Sequence, residues 1–176
     1  MILGLSLQDF TTLHVAISLI AIGSGLILLW GMLNAERMPA MTALFLATTV
    51  LTSGTGFMFP TASFTPALGV GIVSAAVLAA ALLALYAFDL NRAWRWIYVV
   101  AAVFALYLNV FVMVVQSFQK LPFLHALAPN GNEPAFIVAQ TLVLAAFAWL
   151  GFLAVRRFHP EMSAKREPVV SAPRHE

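Results

Sequence analysis

Residues 13–32, 41–59, 66–88, 96–118 and 135–155 form five runs, each close to the roughly 20 apolar residues that an α-helix needs to cross a bilayer. The rest of the chain does little to dilute them. With 62% hydrophobic and 9% charged residues there is too little polar surface to coat a soluble domain, so lipid is the solvent this composition fits. In hydrocarbon an isolated run must satisfy its own backbone hydrogen bonds, and these runs lack the two-residue alternation of barrel strands. The expected fold is therefore all-α: an integral membrane bundle of five transmembrane helices over residues 1–158, followed by a polar tail, 159–176, expected to be disordered. The second run contains "TSGTG", its most polar part, and a four-span bundle is the alternative.

Punctuation between the runs is short: "NAERMPA", "PTAS" and "DLNRAWRW" read as loops. Pro66 and Pro134 suit the first turn of a helix, where a missing N–H loses nothing. Positive charge sets the direction. With five spans and the amino terminus outside, eight of the nine Lys and Arg residues lie on the cytoplasmic side and only Lys120 lies outside. Four spans give seven against two with the tail still inside, so charge does not separate the two counts; five is preferred because residues 41–59 otherwise form an apolar loop with no apolar surroundings. Arg156 and Arg157 then anchor the last span against anionic headgroups.

Several classes of chemistry have no support in the residues. The chain has no cysteine, which removes disulfides, thiolate metal sites and thiol redox chemistry. "MILGLSLQDFTTLH" has no basic residue before its apolar run and is expected to stay as a span, unlike a removable signal peptide. No nucleophile motif, phosphate loop or carboxylate pair occurs in the spans, so no catalytic residue is assigned and a non-enzymatic role is favoured. No metal site is assigned either, since His14, His125, Asp9 and Glu133 are not at ligand spacing on one element. The basic pI comes mainly from cytoplasmic residues and does not point to nucleic acid.

Polar side chains collect in the outer half. His14 begins the first span, Thr52, Ser53 and Thr55 end the second, Gln116 and Gln119 end the fourth, and Gln140 begins the fifth. Helical spacing places Tyr98, Ala102, Ala105, Asn109, Gln116 and Lys120 on one face of the fourth span, expected to look into the bundle. His14, Ser18, Ala21 and Gly25 form a stripe on the first, with Ala21 and Gly25 as a small-xxx-small pair. The sharp reading is a ligand pocket lined by His14, Asn109, Gln116 and Gln140 beneath a loop bearing Lys120, His125 and Glu133. The plainer reading treats Asn109 and the hydroxyls as ordinary glue between helices, Lys120 as an interfacial snorkel and Glu133 as a helix-start acid.

"SGTGFMFP" with "FTPALGVGIVS", then "WRWIYVVAAVFALYLNVFVMVVQSFQKLPFLHALAP", then "EPAFIVAQ" together resemble a group of small bacterial inner-membrane proteins of uncharacterised activity. The resemblance runs from about Ser53 to Gln140 and implies a location in the bacterial inner membrane, with no site residue to carry over. The expected function is a non-enzymatic multi-pass protein that binds a small solute or lipid, or serves as an accessory subunit, with the bilayer and either a homo-oligomer or a membrane complex as partners. No cofactor is expected. The alternatives are a redox component with b-type haem near His14 and His125, and a small oligomeric transporter.

Overall fold

The fold is that of a computed structural model, which describes residues 2–60 and 63–159. Six α-helices follow one another: α1 (Leu7–Leu33), α2 (Pro39–Phe57), α3 (Pro66–Leu82), α4 (Ala93–Lys120), α5 (Pro122–Leu127) and α6 (Pro134–Arg157), with α3 running into a π-helical turn at Leu83–Ala87. Five of these helices, counting α3 with its π turn, are long and apolar enough to cross a membrane. The second has a mean hydropathy of 1.3 against 2.1 to 2.5 in the others, and still qualifies. The expected disordered tail lies outside the described residues, apart from His159.

Local chemistry fixes the helix starts. Proline occupies the first turn of α2, α3, α5 and α6, where its absent N–H removes no intrahelical bond. Thr65 caps α3 by accepting from the Leu68 amide at 3.2 Å. At α1 the Ser6 hydroxyl oxygen caps the helix by accepting from the Asp9 amide at 3.1 Å, and the hydroxyl donates to the Asp9 carboxylate at 2.6 Å. This cap starts α1 at Leu7, ahead of the apolar run that begins at residue 13. "TSGTG" is continuous helix within α2, in keeping with its place in the second apolar run. One further difference concerns a loop: Pro122 starts a short helix, α5, inside what reads as plain loop.

Packing closes a ring. α1 lies against α2, α2 against α3, α3 against α4 and α4 against α1, with α6 outside the ring along α4 and α1. Gly25 sits where three helices meet: a Cβ there comes 2.6 Å from Leu106 Cδ1 and 2.8 Å from the Phe45 ring. The stripe Ala21–Gly25 thus lets α1 approach α2 and α4 closely, as small residues do at tight helix contacts. Phe45, Tyr98, Val99 and Leu106 fill the centre and are essentially inaccessible. In contrast, α6 buries only Ala154 along its length. Its end is held instead by Arg95 of α4, whose guanidinium donates to the Val155 and Phe158 carbonyls at 3.1 and 2.6 Å. A cation against the last carbonyls of a helix satisfies acceptors that have no intrahelical partner.

Candidate functional site

The two ends of the bundle differ in chemistry. One gathers His14, the end of α2, α5 and the start of α6; the other carries Arg92, Arg95, Arg156 and Arg157. At the histidine end a polar seam joins α1 to α2. Thr55 Oγ1 lies 2.7 Å from the Leu51 carbonyl of its own helix and 2.7 Å from His14 Nδ1, so the hydroxyl ties the imidazole of α1 to the last turns of α2. Ser18, bonded to the His14 carbonyl at 2.7 Å, reaches Thr52 at 3.4 Å, and Phe59 packs edge-on against His14 and Phe10. Ser53 continues the polar contact to Ser74 of α3 at 3.2 Å.

Deeper in the bundle, Asn109 of α4 donates through Nδ2 to the fully buried Thr49 hydroxyl of α2 at 3.3 Å. This bond spans the ring between helices that are not sequential neighbours. Gln140 of α6 donates to the Phe111 carbonyl at 3.1 Å, and its Oε1 is buried without a partner. Such an orphaned oxygen is uncommon in a folded interior and costs free energy.

The polar face of α4 does not stay inside along its full length. Tyr98, Ala102 and Ala105 are buried and Asn109 is half-buried, whereas Gln116 and Lys120 are exposed. The cause is the last turn of α4, where Phe118 turns inward onto Phe136 of α6 at a 5.4 Å centroid distance. Residues two apart on a helix point about 200° apart, so burying Phe118 sends Gln116 outward. The expectation that this whole face looks into the bundle is corrected at these two positions.

The loop between α4 and α6 forms a separate structure. A cavity of about 200 Å³ lies there, lined among others by Phe118, Gln119, His125, Asn130 and Phe136. Glu133 closes the loop without entering the lining: its Oε1 accepts from the Asn130 amide at 3.0 Å and from Asn130 Nδ2 at 2.9 Å, and its Oε2 accepts from the Asn132 amide at 3.0 Å. Desolvation pushes this carboxyl up, but the combined donors outweigh it and hold its pKa below the ordinary 4.5. Gly131 supplies the left-handed turn with φ of 74°.

The seven candidate residues thus divide among several neighbourhoods. His14 belongs to the α1–α2 seam, Asn109 to the ring interior, Gln140 to the α4–α6 contact, His125 to the loop cavity and Glu133 to the loop clasp, with Gln116 and Lys120 facing out. Arg95 is a structural residue that the sequence gives as one more interfacial cation; its role as the clamp on α6 follows only from where Phe158 ends up. Comparisons with protein-family models, curated proteins and solved structures give no match.

Proposed function

We propose that the chain is a multi-pass protein of the bacterial inner membrane, amino terminus outside, that holds a small solute beneath its outer loop and catalyses no reaction. The observation that carries this reading is a contrast in hydrogen bonding. Within the helices, His14 is paired with Thr55 and Asn109 with Thr49, the pattern of interhelical glue. At the loop, the exposed side chains of His125 and Gln119 border a cavity with Phe118 and Phe136 beside them. An apolar wall with a few polar groups suits a small amphipathic molecule. Eight basic residues against one support the orientation, with Lys120 at the outer mouth.

The test is native mass spectrometry of protein extracted gently from its own membrane. A retained small mass that disappears in both His125→Ala and Phe136→Trp is the expected result. Bare wild-type protein, or a mass that both variants keep, overturns the solute reading, and a second polypeptide in its place makes the chain an accessory subunit. The orientation has its own test, because the chain lacks cysteine. Asn132→Cys should react with a membrane-impermeant maleimide in intact spheroplasts, and Asn91→Cys only after lysis. The reverse pattern turns the bundle over.

One observation favours a second reading. The Nδ1 contact with Thr55 orients the His14 ring and leaves Nε2 as the nitrogen not engaged with Thr55, the one that would serve as an axial haem ligand. Haem mass in the same spectrum, lost in His14→Ala, is the result that selects it.

A further inference from the structure

We propose that the groove between α4 and α6 is a fixed site for one anionic phospholipid, with an acyl chain along the groove and the phosphate against Arg156. The groove encloses about 400 Å³ and is walled by apolar side chains, among them Val100, Phe104 and Tyr107 of α4 and Phe147, Ala148 and Phe152 of α6. Its length identifies the occupant. From Leu144 to Val155 the α6 side extends about 16 Å at about 1.5 Å per residue, close to half of a hydrocarbon core of about 30 Å. One leaflet is the depth of a lipid chain, whereas a partner helix crossing the bilayer needs twice that length of groove.

The end of the groove supplies the second observation. Phe152 forms part of the wall and carries the Arg156 guanidinium over its ring, 4.3 Å from the centroid. Apolar wall and cation are therefore joined at the depth where a headgroup lies. Arg95 cannot serve in this way, because the Val155 and Phe158 carbonyls occupy its guanidinium. Arg156 is exposed and sits in the last turn of α6, where an arginine suits a phosphate oxygen pair geometrically. The α4–α6 contact also stays open for a structural reason. Gly151 lets the helices approach at Val103, 3.3 Å from a Cβ at that position, and Phe104, Tyr107, Phe147 and Phe152 line the open space beside that contact.

This site rests on the helices being membrane-embedded and is independent of the loop cavity. Delipidated full-length protein in mild detergent is titrated with dioleoyl phosphatidylglycerol and, in parallel, with dioleoyl phosphatidylcholine, and bound lipid is counted by native mass spectrometry. The expected result is one phosphatidylglycerol per chain that survives collisional activation, held about fivefold more tightly than phosphatidylcholine, the preference one basic residue gives near an anionic surface. Ala148→Phe fills the groove from an exposed position and should abolish that retained lipid, with helicity and monodispersity unchanged; Leu26→Phe, on the exposed face of α1, should not. Arg156→Gln should leave the lipid bound with the headgroup preference gone. Equal retention of the two lipids by wild type, or undiminished retention in Ala148→Phe, overturns the proposal. So does a wild-type dimer that Ala148→Phe dissociates, which assigns the groove to a second copy.

Discussion

The contact of α1 with α2 and the contact of α4 with α6 are both helix pairs of similar apolar character, yet they close differently. Along α1 the residues facing inward shrink to Ala21 and Gly25, and the hydroxyls of Ser18, Thr52 and Thr55 with His14 tie the upper turns together. Along α6 the corresponding positions are Phe147 and Phe152, opposed by Phe104 and Tyr107, and a groove remains. Both pairs are apolar, so close packing and hydrogen bonds rather than overall apolar character distinguish how tightly each pair seals. Small side chains achieve the first; between α4 and α6 the aromatic rings line an open groove beside the contact at Gly151.

The most damaging way to break this contrast is to enlarge Gly25. A leucine there overlaps Leu106 and Phe45 on two neighbouring helices, and overpacking of this kind costs about 1–3 kcal/mol. Gly23→Leu is the internal control, since a Cβ at that exposed position meets nothing within 4 Å. Unfolding both in mixed micelles by added sodium dodecyl sulfate should separate them clearly; equal sensitivity would show that the ring does not close at Gly25.

A smaller loss is expected from the bond across the ring. Asn109→Ala should destabilise by about 0.6–2 kcal/mol, part of it from leaving the buried Thr49 hydroxyl unpaired. A double-mutant cycle with Thr49→Val should recover a coupling of that size, and zero coupling removes the bond from the account. The Arg95 clamp comes next. Arg95→Gln should release the last turn of α6 at a cost of about 0.3–2 kcal/mol, read as faster amide exchange of Phe158 with little change in α1 or α2.

The smallest effect is confined to the loop. Because the Glu133 pKa is lowered on folding, the clasp contributes above the unfolded value of 4.5 and is lost as pH falls through the lower folded value. The amide shifts of Asn130 and Asn132 should therefore titrate together below pH 4.5, and in Glu133→Gln they should not move. Shifts that titrate unchanged in the variant would assign the pH response to another group.

How much of this was legible beforehand differs from residue to residue. Pro66 and Pro134 mark their helix starts in the sequence as in the fold, and the stripe from His14 to Gly25 faces protein because 3.6-residue periodicity needs no knowledge of partners. The same periodicity misplaces Gln116 and Lys120. A face continues along a helix whatever surrounds it, whereas burial ends where the neighbouring helix ends, and it was Phe118 that found a partner in α6. The loop cavity was equally hidden: His125 reads as a lone loop histidine until α5 and Gly131 fold the chain back around it.

By itself the sequence determined the number of apolar helices and the position of each apolar run, since helix formation in each run rests on its own backbone, while caps such as Ser6 set where each helix begins. Which helices touch, which polar groups pair and which contact stays open were decided only in the tertiary structure. Those outcomes depend on the sizes of side chains from segments far apart in the chain, Gly25 against Leu106 and Gly151 against Val103, meeting in one place.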